Sequence, residues 1–199
     1  MKRSDLTHGA VFDDQAFALS YAKHHKKMTE KFGRDYSWKL KERGFCRGKI
    51  LDAGCGAGGM NIVLAKEFPE SEVFGIDLSD ILLDLARQSA EEENLEERVK
   101  FEKADVLDIP FENEYFDVVL NLNMMHLVND PIKMLNEIER VTKPGGFIFI
   151  ADLKRSWLGL LEKEIKSAFS LQEAKEYFSQ SNIKQGEFST DMLWWRFES

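Results

Sequence analysis

The chain reads as α/β: a mostly parallel sheet with helices on both faces, closed by an antiparallel hairpin. Three observations predict it. Short apolar strand patterns alternate with helical stripes between residues 49 and 153, which requires crossover connections and therefore parallel strands. A bend of small residues, LDAGCGAGG at 51–59, follows the first of those strands. At the C-terminus two strand-length segments are joined too tightly to run anything but antiparallel.

Phe12 to Arg43 is aromatic-rich and free of proline, which predicts a helix ending near Gly44. KILD (49–52) is a buried-strand pattern, and Met60, Val63, Leu64 and Phe68 give the helix after the glycine bend its apolar face. VFGID (73–77) is the second strand, closing on an acid. Ser79 is a suitable N-cap for a helix with Ile81, Leu82, Leu85 and Ala86 at helical spacing. VKFEKAD (99–105) and FDVVLNLN (116–123) are the third and fourth strands. Asp130-Pro131 supplies an N-cap and an N1 proline for the helix carrying Met134, Leu135, Ile138 and Val141, which is expected to stop at Pro144-Gly145-Gly146. GFIFIADL (146–153) is the fifth strand. Leu158, Leu161, Ile165 and Phe169 form one further stripe, and Ser170 to Glu173 is a capping box opening a helix to about Ser181. Ile183 to Phe188 and Met192 to Phe197 complete the hairpin, turning at Thr190-Asp191.

At 199 residues and 43% apolar, the chain suits one domain, with residues 1–44 as a helical cap and 45–199 as the core. The net charge of -8 repels polyphosphate backbones, and the basic stretches at 24–27 and 39–47 are short, so no nucleic acid is expected as a partner. No apolar run reaches the roughly 18 residues of a membrane span, and Met1-Lys2-Arg3 leads into polar residues, so a cytoplasmic protein is expected. Cys46 and Cys55 are too few for a disulfide framework, and Cys55, between loop glycines, reads as structural.

Gly54, Gly56 and Gly59 satisfy G-x-G-x-x-G, which many nucleotide binders share. Asp77, 21 residues beyond Gly56, suits the two hydroxyls of a ribose. Three further features narrow the ligand. Asp52 lies two residues before Gly54, where a pyrophosphate would be repelled and an ammonium welcomed. Asp105 beside Val106 pairs a carboxylate with a backbone N–H, which suits the amine and ring nitrogen of an adenine. No G-K-[S/T] follows the glycines. The ligand implied has an adenine, a ribose and a cationic, amino-acid-like end without phosphate, which is S-adenosylmethionine.

With these motifs the chain resembles the class I S-adenosylmethionine-dependent methyltransferases. LDAGCGAGG is similar to their first motif, GIDLS to their ribose-binding segment and ADVLDIPFENEYFDVV to their adenine-binding segment; NMMHLVNDP and ERVTKPGGFIFIAD follow in order. The resemblance covers about Lys49 to Phe197. It implies a Rossmann-like seven-stranded sheet and a cofactor site formed by Asp52, Ala53, Gly54, Gly56, Asp77, Leu78, Asp105, Val106 and Asn121. VFDDQAFALSYAKHHKK is similar to the entry helix of the small-molecule enzymes of ubiquinone and menaquinone biosynthesis, which implies Phe12 and Tyr21 near the methionine end.

Methyl transfer from a sulfonium needs donor and acceptor held in line, and a base only where the acceptor arrives protonated. His126, after the fourth strand, and Asp152, at the end of the fifth, are the candidate bases, each with a structural role as its alternative; Tyr21 is a third catalytic candidate, and Tyr21 and Tyr36 are candidate pocket walls. His24 and His25 are adjacent and point about 100° apart on a helix, so no metal is assigned. Neither N-P-P-Y nor D-P-P-Y follows the fourth strand, and no Pro-Cys pair is present, which sets aside several base-modifying classes. Segment 153–169 reads as a substrate cover. The expected acceptor is a small molecule in a pocket walled by residues 12–36, 123–127 and 152–161, among them Phe17, Tyr21, Met124, Met125 and Trp157. A protein or RNA substrate, or a module that senses the cofactor without catalysis, are the other readings.

Overall fold

The computed structural model describes residues 14–155 and 166–199. Its strands are β1 (Lys49–Ala53), β2 (Glu72–Asp77), β3 (Val99–Lys103), β4 (Phe116–Leu122), β5 (Thr142–Leu153), β6 (Glu187–Thr190) and β7 (Trp194–Glu198). The helices are α1 (Gln15–Glu42), α2 (Gly59–Glu67), α3 (Asp80–Glu92), α4 (Pro131–Val141) and α5 (Leu171–Gln180), with a 3-10 turn at Met125–Leu127. The sheet order is β3-β2-β1-β4-β5-β7-β6. β1 to β5 are parallel, and β7 runs antiparallel to both β5 and β6.

Alternate strand residues serve two cores, as the period of 2 demands. Leu51, Val119, Ile148 and Ile150 join α4 and α5 on one face, while Ile50, Val118, Leu120 and Phe149 join α1 and α2 on the other. The strand order reverses at β1, which pairs with β2 on one side and β4 on the other. The loops leaving β1 and β4 therefore diverge, and an open α/β sheet binds its ligand in the crevice between them. Local signals set most boundaries. Asp14 Oδ1 accepts from Phe17 N at 2.7 Å to start α1, Ser79 caps α3, Asp130 caps α4 ahead of Pro131, and Ser170 with Glu173 forms the capping box of α5.

Three boundaries differ from the sequence reading. β3 stops at Lys103, because Asp105 Oδ1 accepts from Leu107 N and its carbonyl accepts from Asp108 N, both at 2.9 Å, turning the chain out of the sheet. β5 begins at Thr142 rather than Gly146, with a register shift between Phe116 and Val118 accommodating Pro144 and Gly145. The hairpin strands are shorter, since Asp191 Oδ1 accepts from Leu193 N and Trp194 N, and Ile183 is drawn into the core at the end of α5. Phe12 and the stripe at Leu158, Leu161 and Ile165 lie outside the described residues. The described ends of the cover segment are clasped: Arg155 N donates to Phe169 O at 3.0 Å, and the Arg155 guanidinium holds both carboxylate oxygens of Glu173 at 2.6 and 2.7 Å.

Candidate active site

The glycine bend is tied to the second strand before it reaches any ligand. Gly54 N and Cys55 N both donate to the Ile76 carbonyl, at 2.8 and 2.9 Å. Gly54 lies at φ +86°, and a Cβ there would meet the Met124 side chain at 2.3 Å. Gly56, at φ +52°, is also left-handed, but a Cβ there would meet nothing within 4 Å: its outer side opens on the crevice. Asp77 braces the same loop, its two carboxylate oxygens accepting from Gly56 N and Ser79 N at 2.9 Å each. Burial raises the Asp77 carboxyl above its usual range, and those N–H donors draw it partway back. Cys55 is buried, which pushes its thiol well up and makes it a poor nucleophile, in keeping with a structural role.

One cavity of about 910 Å³ occupies the crevice, within the range of small-molecule sites. Its lining includes Gly54 to Ala57, Asp77 to Ser79, Ala104 to Leu107, Leu122 to Met124 and Leu127 to Asn129, with the N-terminal half of α1 across from them. Gly54, Gly56, Asp77, Leu78, Asp105 and Val106 are thus brought together as the sequence reading expects. The Val106 side chain belongs to the core, so it is the backbone that faces the cavity. Leu78 leaves 59% of its surface exposed at the cavity lip.

Asp52, Ala53 and Asn121 stand in the strands just before the lining residues. Asn121 Nδ2 donates to the Ala53 carbonyl at 2.7 Å, joining the ends of β1 and β4. Asp52 is 2% exposed, and among the described residues its Oδ1 accepts no hydrogen bond. Burial, and then the charge of Asp77, hold its carboxyl well above the usual range. A positive charge beside the bend would offset both that burial and the neighbouring charge of Asp77. The residues present therefore fit a ligand with a positively charged end beside the glycine bend.

On the acceptor side the structure sorts the candidates. Tyr21 and Met124 line the cavity. Tyr36 and Met125 do not: each is buried in a core cluster, Tyr36 against Phe149 with ring centroids 4.9 Å apart. Phe17 is 43% exposed and stands off the lining, stacked toward Tyr21 at 6.4 Å. Trp157 lies outside the described residues. His126 and Asp152 are not in the lining but form a buried pair, the imidazole Nδ1–H donating to Asp152 Oδ1 at 2.6 Å while Asp152 Oδ2 accepts from His126 N at 2.9 Å. The pair fastens the turn after β4 to the end of β5. The sequence reading missed His25, which lines the cavity four residues after Tyr21. The i, i+4 spacing that puts the two on one face of a helix was the available signal.

A crevice at a strand reversal, with a glycine bend and the Asp77 carboxylate on its wall and the buried Asp52 behind them, is the site geometry expected of the S-adenosylmethionine-dependent methyltransferases. Residues 47–191 match the methyltransferase domain family, and the chain belongs to it. It is 34% identical over 148 residues to the chloroplastic tocopherol O-methyltransferase of Arabidopsis thaliana, covering 73% of this chain and 42% of that protein. It is 31% identical over 122 residues to the demethylmenaquinone methyltransferase of Lactobacillus johnsonii, covering 61% and 50% respectively. The chain thus spans half or less of these curated relatives. Among solved structures, the geranyl diphosphate C-methyltransferase of Streptomyces coelicolor, crystallised with S-adenosyl-L-homocysteine, shares the fold at a TM-score of 0.70 and 16% identity, covering 99% of this chain and 89% of that one.

Proposed function

We propose that this domain transfers a methyl group from S-adenosylmethionine to a small-molecule acceptor. The observation that carries the proposal is the continuity of the cavity, which runs from Asp77 and Asp105 past the glycine bend to Tyr21, Met124 and Leu127 to Asn129. Beyond the cofactor residues it therefore keeps a second region, lined by Tyr21, Met124, Leu127 and Val128 and, along α1, by Lys23, Lys26, Glu30 and Arg34.

When bound, the cofactor supplies an electrophilic methyl group on a sulfonium. The free lone pairs of the Asp77 carboxylate would take the ribose hydroxyls, while Asp105 and the Val106 backbone would take the adenine edge and Leu78 one face of the base. Asp52, buried behind the glycine bend, would offset the positive charge of the ammonium. Tyr21 and Met124 would exclude water and hold the acceptor in line, where positioning supplies most of the acceleration. The His126–Asp152 clasp would act at one remove, holding the Met124 turn against Gly54.

The names of the relatives, with tocopherol and demethylmenaquinone in them, support a small acceptor, as does the charge of -8 against a polynucleotide. No helix among the described residues is long and apolar enough to cross a membrane. We place the protein in the cytoplasm, where its two unpaired thiols, Cys46 and Cys55, would stay reduced. Incubation with S-adenosylmethionine labelled in the methyl group and a fractionated metabolite extract should label a small molecule. Label confined to protein or RNA would refute the proposal.

A further inference from the structure

We propose that His25 is the base that receives the acceptor's proton during methyl transfer, and hence that the acceptor arrives protonated on the atom to be methylated. This rests on the methyl-transfer reading above. His25 lines the cavity on the α1 side, with Tyr21 on the same helical face and the apolar Met124 and Leu127 also in the lining. Its Nδ1 lies 2.9 Å from the Tyr21 carbonyl oxygen. A carbonyl can only accept, so Nδ1 carries the hydrogen and, in the neutral ring, Nε2 carries the lone pair. The Tyr21 ring stacks on the imidazole with centroids 3.9 Å apart and planes 28° from parallel. Tautomer and ring plane are therefore both set before any acceptor enters.

Among the other titratable groups of the lining, Glu30 faces Arg34 at 3.9 Å and Glu92 accepts from Gln88 at 3.0 Å. Asp77 and Asp105 are engaged by backbone N–H groups at the cofactor end. Lys66 is paired with Glu93 and Glu67 with Lys41, at the C-terminal ends of α2 and α3. His126, the base expected from the sequence, lies off the lining in its clasp with Asp152.

The step balances without a further reactant. As the acceptor atom bonds to the methyl carbon, its proton passes to Nε2 of His25, and the pair of the sulfur–methyl bond returns to sulfur. The positive charge moves from the sulfonium to the His25 imidazolium, which gives its proton to water after the product leaves. A thiolate or a neutral amine would need no such partner. The inference therefore assigns the acceptor to the phenol, enol or other proton-bearing class.

The neighbouring histidine is an internal control. His24 Nδ1 lies 2.7 Å from the Ser20 carbonyl oxygen, the same local bond, yet His24 is exposed and off the lining. His25→Gln, His24→Gln and wild type are compared for S-adenosylhomocysteine affinity by calorimetry and for methyl-label transfer to the small-molecule fraction. His25→Gln should keep its affinity within about threefold and lose roughly 10²–10⁴ in transfer rate, the usual worth of a general base. His24→Gln should change neither. Transfer by His25→Gln at the wild-type rate overturns the inference. So does a loss of affinity that matches the loss of rate, or an equal loss in His24→Gln. Histidine ¹⁵N NMR of the S-adenosylhomocysteine complex gives a reading that needs no acceptor, and a His25 ring protonated on Nε2 instead of Nδ1 overturns the base role. A wild-type protein that labels no small molecule defeats the methyl-transfer reading itself.

Discussion

Replacing Asp77 by alanine tests the cofactor site most directly, because this one carboxylate braces the loop and is assigned the ribose. Hydrogen bonds to a charged group contribute about 1.5–3 kcal/mol, so loss of the ribose contacts should weaken S-adenosylhomocysteine binding roughly 10- to 150-fold. The substitution also strips Gly56 N and Ser79 N of their acceptor. Two net backbone bonds at about 0.5–1.5 kcal/mol each amount to about 1–3 kcal/mol, so Tm should fall by at most roughly 12 °C. Relief from holding a buried carboxylate, whose pKa burial has raised, offsets part of that fall. Asp80→Ala is the control, since Asp80 is exposed, pairs with Lys103 at 2.5 Å and is not in the lining. It should leave affinity within about twofold. Calorimetric titration of both variants, each shown to be folded by its thermal melt, decides the matter. Unchanged affinity in a folded Asp77→Ala protein would refute the ribose assignment.

Asp52→Asn should stabilise the free protein and weaken its cofactor affinity. The Asp52 carboxyl is raised well above its usual 3.8 by burial, so the stability of its protonated form is complete below that value and is lost as pH rises through the higher folded-state value. The Tm advantage of the variant should therefore widen as pH rises above 3.8, and a constant gap would refute the burial argument. Gly56→Ala meets no neighbour but holds a left-handed φ, at a cost of about 1–2 kcal/mol or roughly 2–8 °C in Tm. Its methyl group enters the cavity wall, so S-adenosylhomocysteine affinity should drop more than about tenfold, and unchanged affinity would show that the cofactor does not approach the bend. His126→Ala leaves Asp152 buried without its imidazole partner, which should cost about 3–5 kcal/mol, or roughly 6–20 °C in Tm. At a temperature where the variant stays folded, transfer should persist; complete loss there would return His126 to the chemistry.

The elements were legible because their signals are local. Short continuous apolar runs mark strands buried on both faces, Asp130-Pro131 and Ser170 to Glu173 announce helix starts, and a glycine bend after a short strand marks where backbone can meet a ligand. Asp77 could be assigned for the same reason, since the end of β2 is fixed once β2 is recognised. Where a side chain's own short-range bonds compete with the pattern, the reading slipped. Asp105 leaves the third strand because its carboxylate turns the backbone, and Asp191 shortens the hairpin in the same way.

Which residues face the acceptor was a tertiary decision. Every face of the 28-residue α1 carries residues that a pocket could use, and its rotation is set by contact with α2. A Cβ at Gly59 would lie 2.4 Å from Thr29 Oγ1, and one at Gly33 would lie 2.9 Å from Val63 Cβ. These close approaches dock the helix with Tyr21 and His25 toward the crevice and Tyr36 toward the sheet. Likewise, chain position placed His126 and Asp152 at the open edge, but only the pairing of β4 with β5 brings them within 2.6 Å of each other and off the cavity lining. The sequence alone determined the fold, the glycine bend and the position of the acids assigned to the cofactor, because neighbouring residues specify them. The tertiary structure decided which titratable groups line the crevice, because that depends on how distant segments meet.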